Sequence, residues 1–283
     1  MRDVTLTGMR LATIRTPRGS AAVRVDGDTA VEIGAPDVGT LLQDPGWRSV
    51  AEGADGERHA VASLDYAPLV PRPEKIVCVG LNYRNHILEM GRELPEHPTL
   101  FAKYASALVG AHDDIVLPRV SESVDWEAEL AVVIGVPTRH VSVDDARGVI
   151  AGYSVLNDVS VRDWQNRTLQ WLQGKTFESS TPLGPHLVTL DEVPAGAIEV
   201  TCEVDGEQVQ KALTSELVFP PAELVAYMSD IFTLRPGDVI ATGTPGGVGH
   251  ARTPPRYLRD GSVVVTRIEG VGECRNTCRA ECT

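Results

Sequence analysis

Asp125-Trp126-Glu127-Ala128-Glu129-Leu130-Ala131-Val132-Val133-Ile134-Gly135 is the stretch around which this chain is organised. Two acids open an apolar run of strand length that ends at glycine, which predicts a buried β-strand. Side chains on a strand alternate faces, so Glu127 and Glu129 leave from one side, roughly 6.5 to 7 Å apart. Two carboxylates side by side against a core repel and lose solvation, so they need a cation or their pKa values rise. Their oxygens suit a hard divalent ion (magnesium, manganese or calcium) better than zinc. The plainer alternative is a half-exposed strand end with both acids in water.

The chain of 283 residues is long enough for one large or two modest domains with a sizeable core. Its formal charge of -13 repels phosphate backbones and anionic membranes, so neither nucleic acid nor a membrane surface is expected as a partner. Arg2, Asp3 and Arg10 open the chain without an apolar segment between them, and no run reaches membrane-spanning length, so a soluble, cytoplasmic protein is expected. The five cysteines are odd in number and scattered, with Cys78 inside an apolar strand, which points to reduced thiols rather than a disulfide framework. Cys274, Cys278 and Cys282 recur every fourth residue with no histidine among them, which is not a zinc pattern.

On the N-terminal side, Met9 to Thr13, Ala21 to Val25 and Thr29 to Ile33 read as strands, the last two joined by the turn Asp26-Gly27-Asp28, with a short helical piece at Thr40 to Leu42. Pro68 and Pro71-Arg72-Pro73 end this unit. Two domains follow: a small β-rich unit over residues 1–70 with a supporting or dimer-contact role, and a main domain over residues 71–283. The main domain starts with the strand Lys75 to Leu81 and a helix from Asn82 to Met90, on which His86 and Glu89 are face neighbours. A carboxylate so placed orients an imidazole and raises its basicity, although surface helices also carry such pairs.

Short strands are expected at Phe101 to Lys103 and Ile115 to Pro118, a helix capped by Ser142 from Val141 to Val149, and a strand from Ala151 to Asp158. A helix from Ser160 to about Leu172 would put Asp158, Arg162 and Gln165 near one face; a Ser160-capped surface helix is the alternative. Lys175 falls in a Gly-flanked turn, where a lone lysine is usually exposed. Ile198 to Val204 and Gln208 to Ala212 form a hairpin at Asp205-Gly206, and Pro221 to Phe232 an amphipathic helix. The Gly-rich stretch from Thr242 to Gly249 lacks both phosphate-loop patterns; its amides suit a carboxylate, and an ordinary turn is the default.

As a set, VGLNYRNHILEMG (79–91), DWEAELAVVIG (125–135), GYSVLNDVSVRDWQ (152–165), Lys175 with PLGP (182–185) and RPGDVIATGTPGGVG (235–249) resemble the fumarylacetoacetate hydrolase family, over roughly residues 71–275. The resemblance implies an α+β, mostly β fold, the family's mixed β-roll, with a small N-terminal β-rich domain, and a homodimer. It implies Glu127, Glu129 and Asp158 as ligands of Mg2+ or Mn2+, with Ca2+ possible in crystals. It further implies His86 and Glu89 as a water-activating dyad, Lys175 as a substrate-polarising residue, and Arg162, Gln165 and Thr244 as contacts to the pyruvoyl end of a 2-oxo acid. The implied reaction is hydrolysis of a carbon–carbon bond in an acylpyruvate such as fumarylpyruvate from aromatic breakdown, the metal acting as Lewis acid toward an enolate. Decarboxylation of an oxaloacetate-like β-keto acid and isomerisation of a 2-hydroxy-dienoate pass through the same enolate. A non-enzymatic structural calcium site is a further alternative. Composition and resemblance together make residues 82–96 a candidate lid.

Overall fold

The computed structural model describes residues 8–89 and 93–282. The expected central strand runs from Ala128 to Ile134, and all seven of its residues are buried. It pairs antiparallel with Ile150–Asn157 on one side and Val239–Ala241 on the other. Its even-numbered residues, Ala128 to Ile134, join a core shared with Val200, Cys202, Val264 and Ile268, while Ala131 and Val133 pack with Cys78, Leu156, Leu183 and Val239. Burial on both faces explains an apolar run without alternation, and it excludes the half-exposed strand end.

Around this strand an 11-stranded mixed sheet follows the spatial order Arg58–Ala60, Thr29–Glu32, Gly19–Asp26, Arg10–Thr16, Thr181–Val188, Ile150–Asn157, Ala128–Ile134, Val239–Ala241, Ile76–Gly80 and Thr99–Lys103; Leu108–Val109 also pairs with Thr181–Val188. A second sheet of five strands orders Glu207–Leu213, Glu199–Val204, Val263–Ile268, Gly272–Ala280 and Ile115–Leu117. The protein is mostly β with mixed sheets, as expected. Its N-terminal strands join the main sheet edge to edge, because Arg10 and Leu11 pair with Val188 and Leu187. Asp205 and Gly206 both take positive φ, 55° and 81°, the backbone that a two-residue hairpin turn needs.

One expected element is absent. No single helix spans residues 160–172: Ser160–Val161 is a strand pairing with Val124–Asp125, followed by two four-residue helical turns, Arg162–Gln165 and Leu172–Lys175. The Ser160 hydroxyl donates to the Asp158 carbonyl and caps no helix. Val159, Ser160 and Val161 are all buried, and the Arg162 amide donates to Ser123, so long-range pairing overrides the local helical pattern. Helices form where expected at Pro221–Ile231, with proline in the first turn, and at Val143–Ala146 under the Ser142 cap. Among the described residues, no helix is long and apolar enough to cross a membrane.

Candidate active site

Glu127 stands immediately before the central strand and Glu129 is the second residue in it, so both point to the side of Ala131 and Val133. Asp158 follows the last residue of Ile150–Asn157, and its amide donates to the Glu127 carbonyl at 2.8 Å. That bond brings the third acid to the other two. One oxygen from each of Glu127, Glu129 and Asp158 lies within 4.8 Å of the others, and all three residues are buried. Among the described residues this is the one grouping of three or more acids, histidines or cysteines close enough to share an ion.

Three buried cations thread through the acids. Lys175 Nζ contacts Glu127 Oε2 at 2.7 Å and Asp158 Oδ2 at 2.8 Å. Lys103 Nζ contacts Asp158 Oδ1 at 2.6 Å. Arg162 contacts Glu127 Oε1 through Nη1 at 2.6 Å and Asp125 Oδ2 through Nε and Nη2 at 2.8 Å. Lys175 is thus no exposed turn residue: only 2% of it is accessible, since the short helical turn that carries it aims the ammonium inward. Arg162 pairs with Asp125 and Glu127, and Asp158 with the two lysines, a different pairing from the one a continuous helix would give.

Glu129 differs from the other acids. The Gly243 amide donates to it at 2.6 Å, and among the described residues no cation touches it. Burial, with Asp158 and Glu127 nearby, holds its carboxyl well above the usual range. At Asp158 burial works in the same upward direction, but Lys103 and Lys175 outweigh it and bring the group to about 2. Burial opposes the charge on Lys175, yet Asp158 and Glu127 carry it up to about 12, so it stays an ammonium. Four carboxylates (Asp125, Glu127, Glu129, Asp158) face three cations (Lys103, Arg162, Lys175), an excess of one negative charge. A buried carboxylate without a cation, beside two others, fits a hard divalent ion held by Glu127, Glu129 and Asp158.

The Gly-rich loop does hold carboxylates, and they belong to the protein itself. Gly243 reaches Glu129 at a φ of +102°, where a Cβ would stand 2.8 Å from that of Asn82, so only glycine fits. Gly249 and His250 donate their amides to Asp125 at 2.7 and 2.9 Å. Asn82 clamps the loop, donating to the Thr242 carbonyl at 2.7 Å. The Thr244 hydroxyl donates to the Ala128 carbonyl at 3.0 Å and accepts from Gln210 at 2.9 Å. Gln165 accepts from Arg162 at 2.9 Å.

These groups wall a cavity of about 270 Å³ lined by Glu127, Arg162, Gln165, Lys175 and Thr244 among others. Glu129 and Asp158 lie behind that wall. The helix Arg84–Glu89 carries His86 and Glu89, whose side chains lie outside what the structure describes, as do residues 90–92 of the candidate lid. Asp125, Lys103, Asn82 and Gln210 went unrecognised in the sequence. Asp125 stood in the quoted motif, but only its position against Arg162 distinguishes it. All five cysteines are free; Cys274 and Cys278 are buried in the strand Gly272–Ala280 and Cys282 is exposed beyond it.

Residues 75–279 match the sequence profile described as the fumarylacetoacetate (FAA) hydrolase C-terminal domain. The chain belongs to the fumarylacetoacetate hydrolase family. The human protein named oxaloacetate tautomerase FAHD2A, mitochondrial, is 48% identical to it over 206 residues, covering 72% of this chain and 66% of the human one, just under two thirds of that relative's length. Among solved structures, fumarylacetoacetate hydrolase from Exiguobacterium antarcticum superposes with a TM-score of 0.87 at 30% identity, over 96% of this chain and 100% of that one. A 5-carboxymethyl-2-hydroxymuconate delta-isomerase from Mycobacterium smegmatis gives a TM-score of 0.81 at 33% identity, again over 96% and 100%. The family is one of enzymes, and the buried acidic triad agrees with its use of a divalent ion.

Proposed function

We propose that this enzyme interconverts the enol and keto forms of a short 2-oxo acid of the oxaloacetate type, using Mg2+ or Mn2+. The observation that carries the reading is the meeting of Glu127, Glu129 and Asp158 beside the buried Arg162 and Lys175. Glu127, Glu129 and Asp158 would hold a divalent ion, which would supply Lewis acidity toward the 2-oxo oxygen of the substrate. The residues do the rest. Arg162, Gln165 and Thr244 hold the carboxylate end of the substrate. Lys175 keeps its positive charge near the oxygen on which negative charge grows, and its tie to two carboxylates suits it to that electrostatic part rather than to base catalysis. His86 and Glu89 are assigned the proton transfer, removing a proton from the enol oxygen and delivering one to the neighbouring carbon.

Two of the similar proteins are named an oxaloacetate tautomerase and a delta-isomerase, which supports proton transfer ahead of the hydrolysis implied by the sequence motifs. Cleavage of an acylpyruvate is the second reading, supported by the likeness to the Exiguobacterium hydrolase. A structural calcium site fits poorly, since three carboxylates gather here where a closed calcium cage takes roughly six to eight oxygens. A homodimer accompanies the proposal, and sedimentation velocity measures it.

The test follows loss of the enol form of oxaloacetate by ultraviolet absorbance, with Mg2+ or Mn2+ and after chelation, beside release of pyruvate from fumarylpyruvate and acetylpyruvate. Metal-dependent enol loss faster than cleavage supports the proposal, and faster cleavage transfers it to the second reading. Oxalate, an enolate mimic, should bind only with metal present; equal binding without metal overturns both readings.

A further inference from the structure

His250 lines the same cavity as Arg162, Gln165 and Thr244, at its exposed edge, in the short turn Gly249–Ala251. Its backbone is fixed, because its amide and that of Gly249 both bind Asp125, whose Oδ2 also holds Arg162. Its ring is oriented as well: Nδ1 lies 2.9 Å from the Tyr257 hydroxyl. A phenol that donates to Nδ1 leaves the imidazole proton on Nε2 as a donor. Among the described residues, Nε2 makes no recorded hydrogen bond. One carboxylate therefore ties the Arg162 guanidinium and the His250 backbone to the same cavity, and Tyr257 orients the imidazole there.

We propose that His250, oriented by Tyr257, is a specificity residue that receives a second, distal carboxylate, so that the site prefers 2-oxo diacids to 2-oxo monoacids. This rests on the reading that Arg162 and its neighbours hold the 2-oxo acid end. Val248 and Ala251 beside it offer no competing polar contact. A monoacid would leave the imidazole donor facing water.

Malate and lactate test this, because both are unreactive 2-hydroxy acids and differ by the distal carboxylate. Calorimetry on the manganese-loaded protein should show malate bound about tenfold more tightly than lactate, each referred to oxalate, which lacks a distal arm. His250→Phe should erase that preference, His250→Gln should restore most of it, and Tyr257→Phe should reduce it about threefold. In turnover, His250→Phe should raise KM for oxaloacetate about tenfold with kcat within about twofold. A malate preference equal in wild type and His250→Phe, or absent from wild type, overturns the proposal. If the preference collapses as stated while oxaloacetate is not turned over, the proposed reaction fails and distal recognition stands.

Discussion

Arg162 places both Nε and Nη2 2.8 Å from Asp125 Oδ2, and Asp125 in turn accepts the amides of Gly249 and His250. Neither residue of this pair is accessible to more than a few per cent, so the charge on Arg162 depends on Asp125 and Glu127 for compensation. The pair joins the strand that carries the acids to the loop that closes the cavity. A carboxylate next to the acidic triad thus positions the protein's own guanidinium instead of a metal ion.

Asp125→Asn keeps the shape but turns one of the two acceptor oxygens into a donor that faces N–H groups, and it removes half of that compensation. Breaking a buried pair leaves an uncompensated charge and costs about 3 kcal/mol, lessened here by Glu127. The urea midpoint should fall with the slope unchanged, and KM for the oxo acid should rise more than kcat falls. Full stability in the Asn variant would refute the anchoring role.

Glu129→Gln should act with opposite signs on two measurements. Without metal, neutralising Glu129, which has no cation partner among the described residues, relieves repulsion from Glu127 and Asp158, so thermal stability should hold or rise by about 1 kcal/mol. With Mn2+, wild type should gain stability by mass action and the variant should gain little, its affinity down at least about 100-fold. An equal manganese-induced rise in melting temperature for both proteins would remove Glu129 from the ligand set.

Lys103 is the partner of Asp158 that no local pattern reveals, its ammonium donating at 2.6 Å to the carboxylate and at 3.2 Å to the Val159 carbonyl. Lys103→Met leaves Asp158 with Lys175 alone and should destabilise by about 3 kcal/mol. Lys103→Arg carries the charge but not the length, so it should recover only part of the loss. Urea titration of both variants decides it, and a Met variant as stable as wild type would show Lys175 to be sufficient.

The strand and its two acids were legible because a period of two and an apolar run are local signals. Convergence of Asp158 was legible only as a family motif, since nothing local to Asn157-Asp158 states that its amide meets Glu127, 31 residues earlier. Lys103, Asp125 and Gln210 were hidden for the same reason: each acquires its role from a partner tens of residues away. The misread segment is instructive. Residues 160–172 carry helical spacing, but Gly174 lets the turn Leu172–Lys175 close against Gln165, where a Cβ would meet the backbone nitrogen at 2.4 Å. That close approach delivers Lys175 to the acids, and it requires two short turns instead of one helix.

His186 should leave a mark on stability that is independent of the acidic site. It sits in the strand Thr181–Val188, its Nε2 3.4 Å from the Tyr66 hydroxyl and its Nδ1 buried without a partner among the described residues. Burial, with Arg10 and His112 nearby, lowers its pKa to about 4. The unfolded chain takes up a proton below about pH 6.5 while the folded protein does not until about pH 4, so folding stability is lost as pH falls through that window. The slope from this group is at most about 1.4 kcal/mol per pH unit. Wild type should therefore lose up to about 2 kcal/mol more than His186→Gln between neutral pH and about pH 5, read from urea midpoints at each pH. Carboxylates that titrate in the same range contribute to both proteins and cancel in the difference. Parallel stability curves for the two proteins would mean that His186 is protonated in the folded state as readily as in the unfolded chain.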